Sequence, residues 1–263
     1  MIGIFDSGVG GMTVARAVEQ VLPGQDIVYL GDVARAPYGS KSPQTLQRYA
    51  CQNTEFLLDK GAQLIIVACN SAASVAADLL KERYQVPIIE VISPAVASAV
   101  QKSAQGRIGV MGTRATINSG IYEKKIAALR PAATVLSQAC PLLVPLVEEG
   151  WLHKRETKMI IRRYLQPLKA RGLDTLILGC THYPLLRDLI AARIGARVQV
   201  IDSSHAVART VASFLKERPG QAADPASSPS RNYYVSDETE AVKSIARLIF
   251  ARQVELHQVA VGG

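Results

Sequence analysis

Two stretches of the sequence decide the fold: residues 64–71 read LIIVACNS, and residues 175–182 read TLILGCTH. In each stretch a short run of Val, Ile and Leu residues is followed by one small residue, then by a cysteine and polar residues. Similar apolar runs alternate along the chain with amphipathic segments of about ten residues or more, a pattern typical of a buried parallel sheet flanked by helices. The sequence therefore predicts an α/β fold.

The apolar runs predict the strands, and capping signals predict several helices. The predicted strands are residues 2–5, 27–30, 64–68, 88–92, 108–111, 134–137, 175–178, 198–201 and 233–235. Ser42 followed by Pro43 predicts the start of a helix that closes at Gly61. Further helices are predicted at residues 157–168, where Pro167 should kink or end the helix, and at 238–250. Residues 217–231 are polar and predict a loop.

An internal repeat divides the chain. The two cysteine stretches lie about 110 residues apart, and residues 2–4 (IGI) match residues 108–110 (IGV) in the same order and at nearly the same offset. We therefore expect two pseudo-symmetric lobes, each a mainly parallel sheet flanked by helices, with the active site in the cleft between them. The first lobe is predicted to span residues 1–93 plus 206–263, and the second lobe residues 94–205.

Composition narrows the classes of protein to consider. The 263 residues carry a net charge of +8, and the excess of Lys and Arg lies in residues 101–200. The four cysteines are far apart, which argues against a zinc site or a dithiol motif. No apolar run approaches the roughly 20 residues of a membrane helix, and the N-terminus lacks the features of a secretory signal. We expect a cytoplasmic protein with no metal and no membrane contact; nucleic acid is not an expected partner, because the basic segment lacks interleaved aromatic residues.

Cys69 and Cys180 occupy corresponding positions in the repeat, each between a predicted strand and polar helix-capping residues. Ligands of open parallel sheets bind at the carboxyl ends of strands, and a helix N-terminus lowers the pKa of a thiol there. Two such thiols facing each other across a cleft can remove a proton from one face of a carbon and deliver one to the other face, which inverts a stereocentre. Cys51 and Cys140 are predicted to be ordinary core residues.

Polar residues follow two further strands. Residues 6–11 (DSGVGG) form a glycine-rich turn that departs from the dinucleotide fingerprint, because a threonine stands where its last glycine is required. We expect its glycines to let a ligand approach the backbone amides, and Asp6 to receive an ammonium group or to orient a base. Residues 36–40 offer further amides and the phenol of Tyr38.

Three acidic or basic side chains complete the candidates. His182 lies two residues after Cys180 and could share its proton. Glu148 and Glu149 fit a role in the site and an ordinary helix surface equally well.

Taken together, these motifs resemble those of the glutamate racemases. The resemblance covers nearly the whole chain and rests on residues 4–11 (IFDSGVGG), 37–39 (PYG), 68–72 (ACNSA), 144–148 (VPLVE), 179–186 (GCTHYPLL) and 234–237 (YVSD). It implies a cofactor-independent isomerase of the aspartate/glutamate racemase superfamily. Such an enzyme interconverts L- and D-glutamate and supplies D-glutamate for the bacterial peptidoglycan cell wall. The resemblance leaves open whether the chain forms a homodimer.

The resemblance also implies roles for individual residues. Cys69 is expected to be the base toward D-glutamate and Cys180 the base toward L-glutamate, with assistance from Asp6 and His182, and with Glu148 near the second thiol. The residues expected to hold the substrate are Asp6, Ser7, Tyr38, Gly39, Asn70, Ser71, Thr181 and His182. Ser71 replaces a threonine that is common in the family, so its hydroxyl is kept and a methyl group is lost.

Other functions remain open from the sequence. A related cofactor-free racemase could act on aspartate or another amino acid with the same pair of thiols. A nucleotide-binding module would bind nucleotides saturably and be indifferent to cysteine loss. A protein that binds nucleic acid or another protein through its basic segment would bind less tightly as salt increases.

Overall fold

The computed structural model describes residues 1–218 and 229–262, and these contain two separate parallel sheets. The strands are β1 (Ile2–Asp6), β2 (Ile27–Gly31), β3 (Leu64–Val67), β4 (Ile88–Glu90), β5 (Arg107–Gly112), β6 (Thr134–Ala139), β7 (Thr175–Gly179), β8 (Gln199–Asp202), β9 (Arg231–Val235) and β10 (Leu256–Gln258). The large sheet has the order β10-β9-β2-β1-β3-β4, and the small sheet has the order β6-β5-β7-β8. All strand pairs are parallel.

Helices connect the strands of both sheets. They are α1 (Met12–Val21), α2 (Pro43–Asp59), α3 (Asn70–Arg83), α4 (Ile92–Lys102), α5 (Arg114–Asn118), α6 (Ile121–Leu129), α7 (Leu143–Glu148), α8 (Arg155–Ala170), α9 (Arg187–Ile194), α10 (Ser203–Lys216) and α11 (Glu240–Phe250). Every residue of β1 and β7 is buried, as expected for parallel strands covered on both faces. The predicted α/β class with two parallel sheets is confirmed.

The repeat found in the sequence is also a repeat of strand topology. In the large sheet β1 lies between β2 and β3, and β4 follows β3; in the small sheet β5 lies between β6 and β7, and β8 follows β7. The register matches as well, because Ile2 pairs with Leu64 and Ile108 pairs with Thr175. The limits of the two lobes, at residues 93–94 and 205–206, stay a prediction.

Local signals placed most elements correctly. Ser42 caps α2 by accepting a hydrogen bond from the backbone N–H of Thr45 at 3.3 Å, and Gly61 follows the helix with a φ of +88°. Pro167 does not end the helix, since α8 continues to Ala170, so of the two predicted effects of this proline only a kink stays a prediction. Both Pro167 and Arg163, whose carbonyl loses its helical partner, are exposed, so water can satisfy that carbonyl.

The C-terminal part departs from the prediction in two places. Strand β10, which extends the large sheet beyond β9, was not predicted from the sequence. Of the loop predicted at 217–231, residues 219–228 lie outside the described residues, and Arg231 already belongs to β9. None of the helices within residues 1–218 and 229–262 has the length and apolar character needed to cross a bilayer.

A buried carboxylate joins the end of the large sheet to the next helix. Glu90 ends β4 and accepts hydrogen bonds from the backbone N–H groups of Ile92 and Ser93, the latter at 3.0 Å, so it caps the N-terminus of α4. Lys125 of α6 lies 3.6 Å from the Glu90 carboxylate and donates to Ser93 Oγ at 2.8 Å. The helix terminus and the lysine together compensate the burial of this charge.

Candidate active site

The carboxyl ends of both sheets meet around a cavity of about 120 Å³. A cavity of this size suits a small molecule rather than a nucleotide, since pockets for larger ligands hold roughly 300–1,000 Å³. It is lined by Ser7, Ala36, Pro37, Tyr38, Gly39, Ser40, Cys69, Asn70, Ser71, Thr113, Arg114, Pro141, Val144, Pro145, Glu148, Cys180, Thr181 and His182. Every site residue predicted from the sequence is therefore at the cavity wall, with the exception of Asp6.

Cys69 lines the cavity from the large sheet. It is buried at the N-cap of α3, two residues after the end of β3. Burial, and after it the negative charge of Asp6, raise the pKa of the Cys69 thiol to about 12, although hydrogen bonds from the backbone N–H of Ala72 and from the Ser7 side chain lower it. The expected lowering of this pKa by the helix N-terminus is therefore outweighed, and Cys69 is a neutral thiol at neutral pH.

Asp6 lies behind the cavity wall. Its Oδ2 accepts hydrogen bonds from the backbone N–H of Gly11 at 2.9 Å and of Gly8 at 3.2 Å, and its Oδ1 accepts one from Thr181 Oγ1 at 3.2 Å. Gly11 is required here, because a Cβ at that position would lie 2.3 Å from the Asp6 Cβ. Two amides of the glycine-rich turn thus bind the Asp6 carboxylate, whereas we expected these amides to approach a ligand. Burial raises the pKa of Asp6.

Cys180 lines the cavity from the small sheet, directly after β7. His182 Nδ1 lies 3.9 Å from Cys180 Sγ, and His182 Nε2 lies 3.2 Å from Glu148 Oε1. Burial lowers the pKa of His182, but the hydrogen bonds and charges of Cys180 and Glu148 outweigh this effect and raise the pKa to about 10. His182 is therefore positively charged at neutral pH.

The structure distinguishes the two carboxylates that the sequence left equivalent. Glu148 ends α7, lines the cavity and pairs with His182. Glu149 is exposed and does not line the cavity.

Several hydrogen bonds join residues that follow strands of different sheets. Thr13 Oγ1 donates to the carbonyl oxygen of Thr181 at 3.2 Å, and Ser71 Oγ lies 2.8 Å from Thr113 Oγ1. Gly10 permits a close approach, because a Cβ there would lie 2.4 Å from His182 Nδ1. The contacts of Thr13 and Gly10 fix the position of the Cys180 segment against the glycine-rich turn of the large sheet, and the contact of Ser71 joins the start of α3 to the end of β5.

Comparison with known proteins identifies the family. The model of the Asp/Glu/hydantoin racemase family matches residues 12–211. The chain is 45% identical to a glutamate racemase of Aquifex aeolicus over 254 residues, which cover 97% of this chain and 95% of that protein. It is 44% identical to a glutamate racemase of Geobacter metallireducens over 237 residues, 90% of this chain and 87% of that protein. The chain belongs to the glutamate racemase family.

Solved structures of the glutamate racemase family share the fold. A glutamate racemase isoform from Bacillus anthracis is 36% identical with a TM-score of 0.94, covering 98% of this chain and 97% of that one. A glutamate racemase from Francisella tularensis, solved in complex with D-glutamate, is 34% identical with a TM-score of 0.91 and the same coverage. The resemblance stated from the sequence is confirmed, and so is the prediction of an isomerase over the binding-module alternatives.

Sequence reasoning missed the part of this racemase site that follows β5 and β6. Thr113 and Arg114 line the cavity directly after β5, and Pro141 lines it just after β6. A signal was present, because β5 and β6 are the counterparts of β1 and β2 in the repeat, and the rule that ligands bind at strand ends applies to them equally. Cys140 is buried and absent from the cavity wall, as expected of a core residue.

Metal-binding side chains are not grouped in the part of the chain that the structure describes: no three His, Cys, Asp or Glu residues there could hold an ion together. The independence of the reaction from cofactors stays a prediction.

Proposed function

We propose that this protein interconverts L- and D-glutamate, with Cys69 and Cys180 acting as acid and base on opposite faces of the substrate α-carbon. The observation that carries this proposal is that the two thiols follow equivalent strands of two different sheets and line the same cavity. A small chiral substrate between them has one thiol available to each face. Identity of 44–45% to glutamate racemases supports glutamate as that substrate.

The positive charge of His182 and the neutral thiol of Cys69 support a role for each cysteine in the L-to-D direction. In the L-to-D direction Cys180 removes the α-proton, and the positive charge of His182, 3.9 Å from Cys180 Sγ, stabilises the negative charge on the sulfur before transfer. Cys69 is a neutral thiol and delivers its proton to the opposite face. In the D-to-L direction the roles are exchanged.

The other cavity residues are assigned to substrate binding. Buried carboxylates require hydrogen-bond donors, and the backbone and side chains of Ser7, Tyr38, Gly39, Asn70, Ser71, Thr181 and His182 offer them at the wall. The amide nitrogen of Asn70 is a buried donor with no hydrogen-bond partner in the described residues. Arg114, an exposed lining residue, adds a positive charge that attracts an anionic amino acid. Donors to the α-carboxylate also stabilise the charge that develops when the α-proton leaves.

Asp6 acts on the substrate indirectly in this proposal. Its carboxylate is saturated by Gly8, Gly11 and Thr181, so it orients the glycine-rich turn and the Thr181 hydroxyl and keeps Cys69 strongly basic once that thiol is deprotonated. Ser71 retains a hydroxyl that bonds Thr113, which supports its contact with the substrate despite the absent methyl group.

The proposed biological role is the supply of D-glutamate for bacterial peptidoglycan. It follows from the family and from glutamate as substrate. A cytoplasmic location, the absence of a cofactor and a homodimer belong to this proposal as further predictions.

The proposal is tested by proton NMR and polarimetry in D₂O with L-glutamate and, separately, L-aspartate, without added cofactor. We expect the α-proton signal and the optical rotation of glutamate to decay together, while aspartate is unchanged. Pyridoxal phosphate or a metal chelator should leave the rate unaltered. Exchange with aspartate alone would contradict the substrate assignment, and absence of exchange with both would contradict the racemase proposal.

A further inference from the structure

One tyrosine touches both thiol-bearing segments of the cavity. Tyr122 lies in α6 and is 1% exposed. Its hydroxyl donates a hydrogen bond of 2.7 Å to Asn70 Oδ1, and Asn70 follows Cys69 in the chain. At its other side, a Cβ on Gly179 would lie only 3.2 Å from the Tyr122 ring, and Gly179 precedes Cys180. Tyr122 thus lies between the two strand ends that carry the thiols, and no role was assigned to it from the sequence.

The hydrogen bond has a defined direction. Burial raises the pKa of Tyr122 well above its usual value, and the charges of Glu90 and Cys180 raise it further, so the hydroxyl stays protonated and donates. Asn70 consequently accepts with its oxygen, which orients its nitrogen away from Tyr122. That nitrogen is buried and lacks a hydrogen-bond partner in the described residues, although buried donors are nearly always paired. Asn70, a residue of the cavity wall, is thus held in an orientation in which its amide N–H group has no hydrogen-bond partner within the described residues.

Helix α6 is anchored close to Tyr122. Lys125, three residues later on the same face of the helix, donates to Ser93 Oγ at 2.8 Å and lies 3.6 Å from the buried Glu90. Because Glu90 caps α4, this contact ties α6 to the connection that leaves the large sheet. The anchoring of α6 therefore holds the Tyr122 hydroxyl at a fixed position relative to Asn70.

We propose that Tyr122 is a positioning residue that holds the Asn70 amide with its N–H group directed at a substrate carboxylate. This inference rests on the proposed function, because it requires Asn70 to contact the substrate. Its effect is on binding: without the Tyr122 hydroxyl, the amide rotates and its donor is lost to the carboxylate, while both thiols remain in place. The ring of Tyr122 keeps its separate packing role against Gly179.

The test is Tyr122→Phe, which keeps the ring and removes only the hydroxyl. We expect KM for both enantiomers of glutamate to rise about tenfold, the loss associated with one hydrogen bond, with any fall in kcat smaller than the rise in KM. The matched control is Tyr233→Phe, because Tyr233 is equally buried but donates to Glu19, away from the cavity. That control should leave KM unchanged while the thermal midpoint of both variants reports any loss of stability.

A double variant isolates the action through Asn70. Asn70→Ala alone should raise KM, and adding Tyr122→Phe should then change KM by less than about twofold, because the group that Tyr122 positions is already gone. The inference would be overturned by additive effects of the two substitutions, by a wild-type KM in Tyr122→Phe, or by a loss confined to kcat. In each of these cases, racemisation by the wild-type protein would still support the proposed function. A wild-type protein that does not racemise glutamate would overturn both.

Discussion

Cys69 and Cys180 follow equivalent strands of the repeat, β3 and β7, yet the groups around them carry opposite charges. Cys69 is near the Asp6 carboxylate, and its pKa is raised to about 12. Cys180 is 3.9 Å from His182, whose pKa is raised to about 10 and which therefore carries a positive charge. The repeat of the fold accounts for the matching positions of the thiols, and the residues that differ between the repeats account for the opposite charges around them. A two-base racemase needs this difference, because each turnover starts with one base and one acid.

The largest effect is expected when either thiol is replaced. Cys69→Ser and Cys180→Ser should each lower kcat for racemisation by at least about 10³-fold, since a hydroxyl is a much weaker acid than a thiol and general acid–base catalysis contributes about 10²–10⁴-fold. Each variant should still exchange the α-proton of one enantiomer with solvent, D-glutamate for Cys180→Ser and L-glutamate for Cys69→Ser. The exchange is measured by NMR in D₂O.

Cys51→Ser is the control for that experiment. Cys51 is a buried cysteine in α2, outside the cavity wall, so its variant should keep wild-type racemisation. Racemisation near the wild-type rate in Cys69→Ser or Cys180→Ser would contradict the two-thiol mechanism.

Removing the charge of Asp6 or of His182 should slow racemisation in both directions, but the two changes should affect different thiols. Because enantiomers have equal free energies in water, kcat/KM must stay equal in the two directions for any variant. We expect Asp6→Asn and His182→Asn each to lower kcat/KM by about 10²-fold. The fall in kcat should be larger from L-glutamate for His182→Asn and larger from D-glutamate for Asp6→Asn, as measured by circular dichroism from each side. If the ratio of kcat from L-glutamate to kcat from D-glutamate were the same in both variants, Asp6 and His182 would not act on different thiols.

Close packing against His182 gives a smaller expected effect. Gly10→Ala should lower kcat/KM by about tenfold or more, because the new Cβ would lie 2.4 Å from His182 Nδ1 and must displace the ring. Gly8→Ala, in the same turn, is the matched comparison, since its Cβ would meet Glu148 Oε1 only at 3.8 Å. We expect it to retain kcat/KM within about threefold. Equal losses in both variants would mean that the turn, and not the contact with His182, is responsible.

The smallest effect is a change in pH dependence. The charged form of His182 exists below its raised pKa, so kcat/KM should fall as pH rises through about 10. Glu148→Gln removes one of the contacts that raise this pKa and should move the alkaline limb of the profile down by about one pH unit. Glu149→Gln, which changes an exposed neighbour outside the cavity wall, should leave the profile unaltered. If the alkaline limb were unchanged in Glu148→Gln, the ionisation of His182 would not be its cause.

The sequence was most informative where one local rule acts alone. Val, Ile and Leu runs placed the strands, Ser42 and Pro43 placed the start of α2, and the repeat placed both thiols at strand ends. The resemblance added Glu148, whose role the residues alone left open. These features depend on neighbours in the chain or on a pattern that recurs along it.

What the sequence did not predict depends on distant contacts. The raised pKa of Cys69 follows from burial beside Asp6, which outweighs the helix N-terminus that local reasoning considered. The amides of the glycine-rich turn are occupied by Asp6 itself. The bond from Tyr122 to Asn70 joins residues 52 positions apart, and no local pattern indicates it. Strand β10 is short and gains its stability from pairing with β9.

The central claim, that separate thiols act on opposite faces of the α-carbon, is tested most directly by the position of the isotope at early conversion. Unlabelled L-glutamate reacts in D₂O, and the reaction is stopped when less than about a tenth of it has been converted. The two enantiomers are then separated, and the deuterium content of each at the α-carbon is measured by mass spectrometry. We predict deuterium in the D-glutamate formed and protium in the L-glutamate that remains, because Cys69 delivers a solvent-derived deuteron while Cys180 retains the proton it removed. Protium in the D-glutamate product would contradict this account, since it would mean that one group removes and returns the same proton.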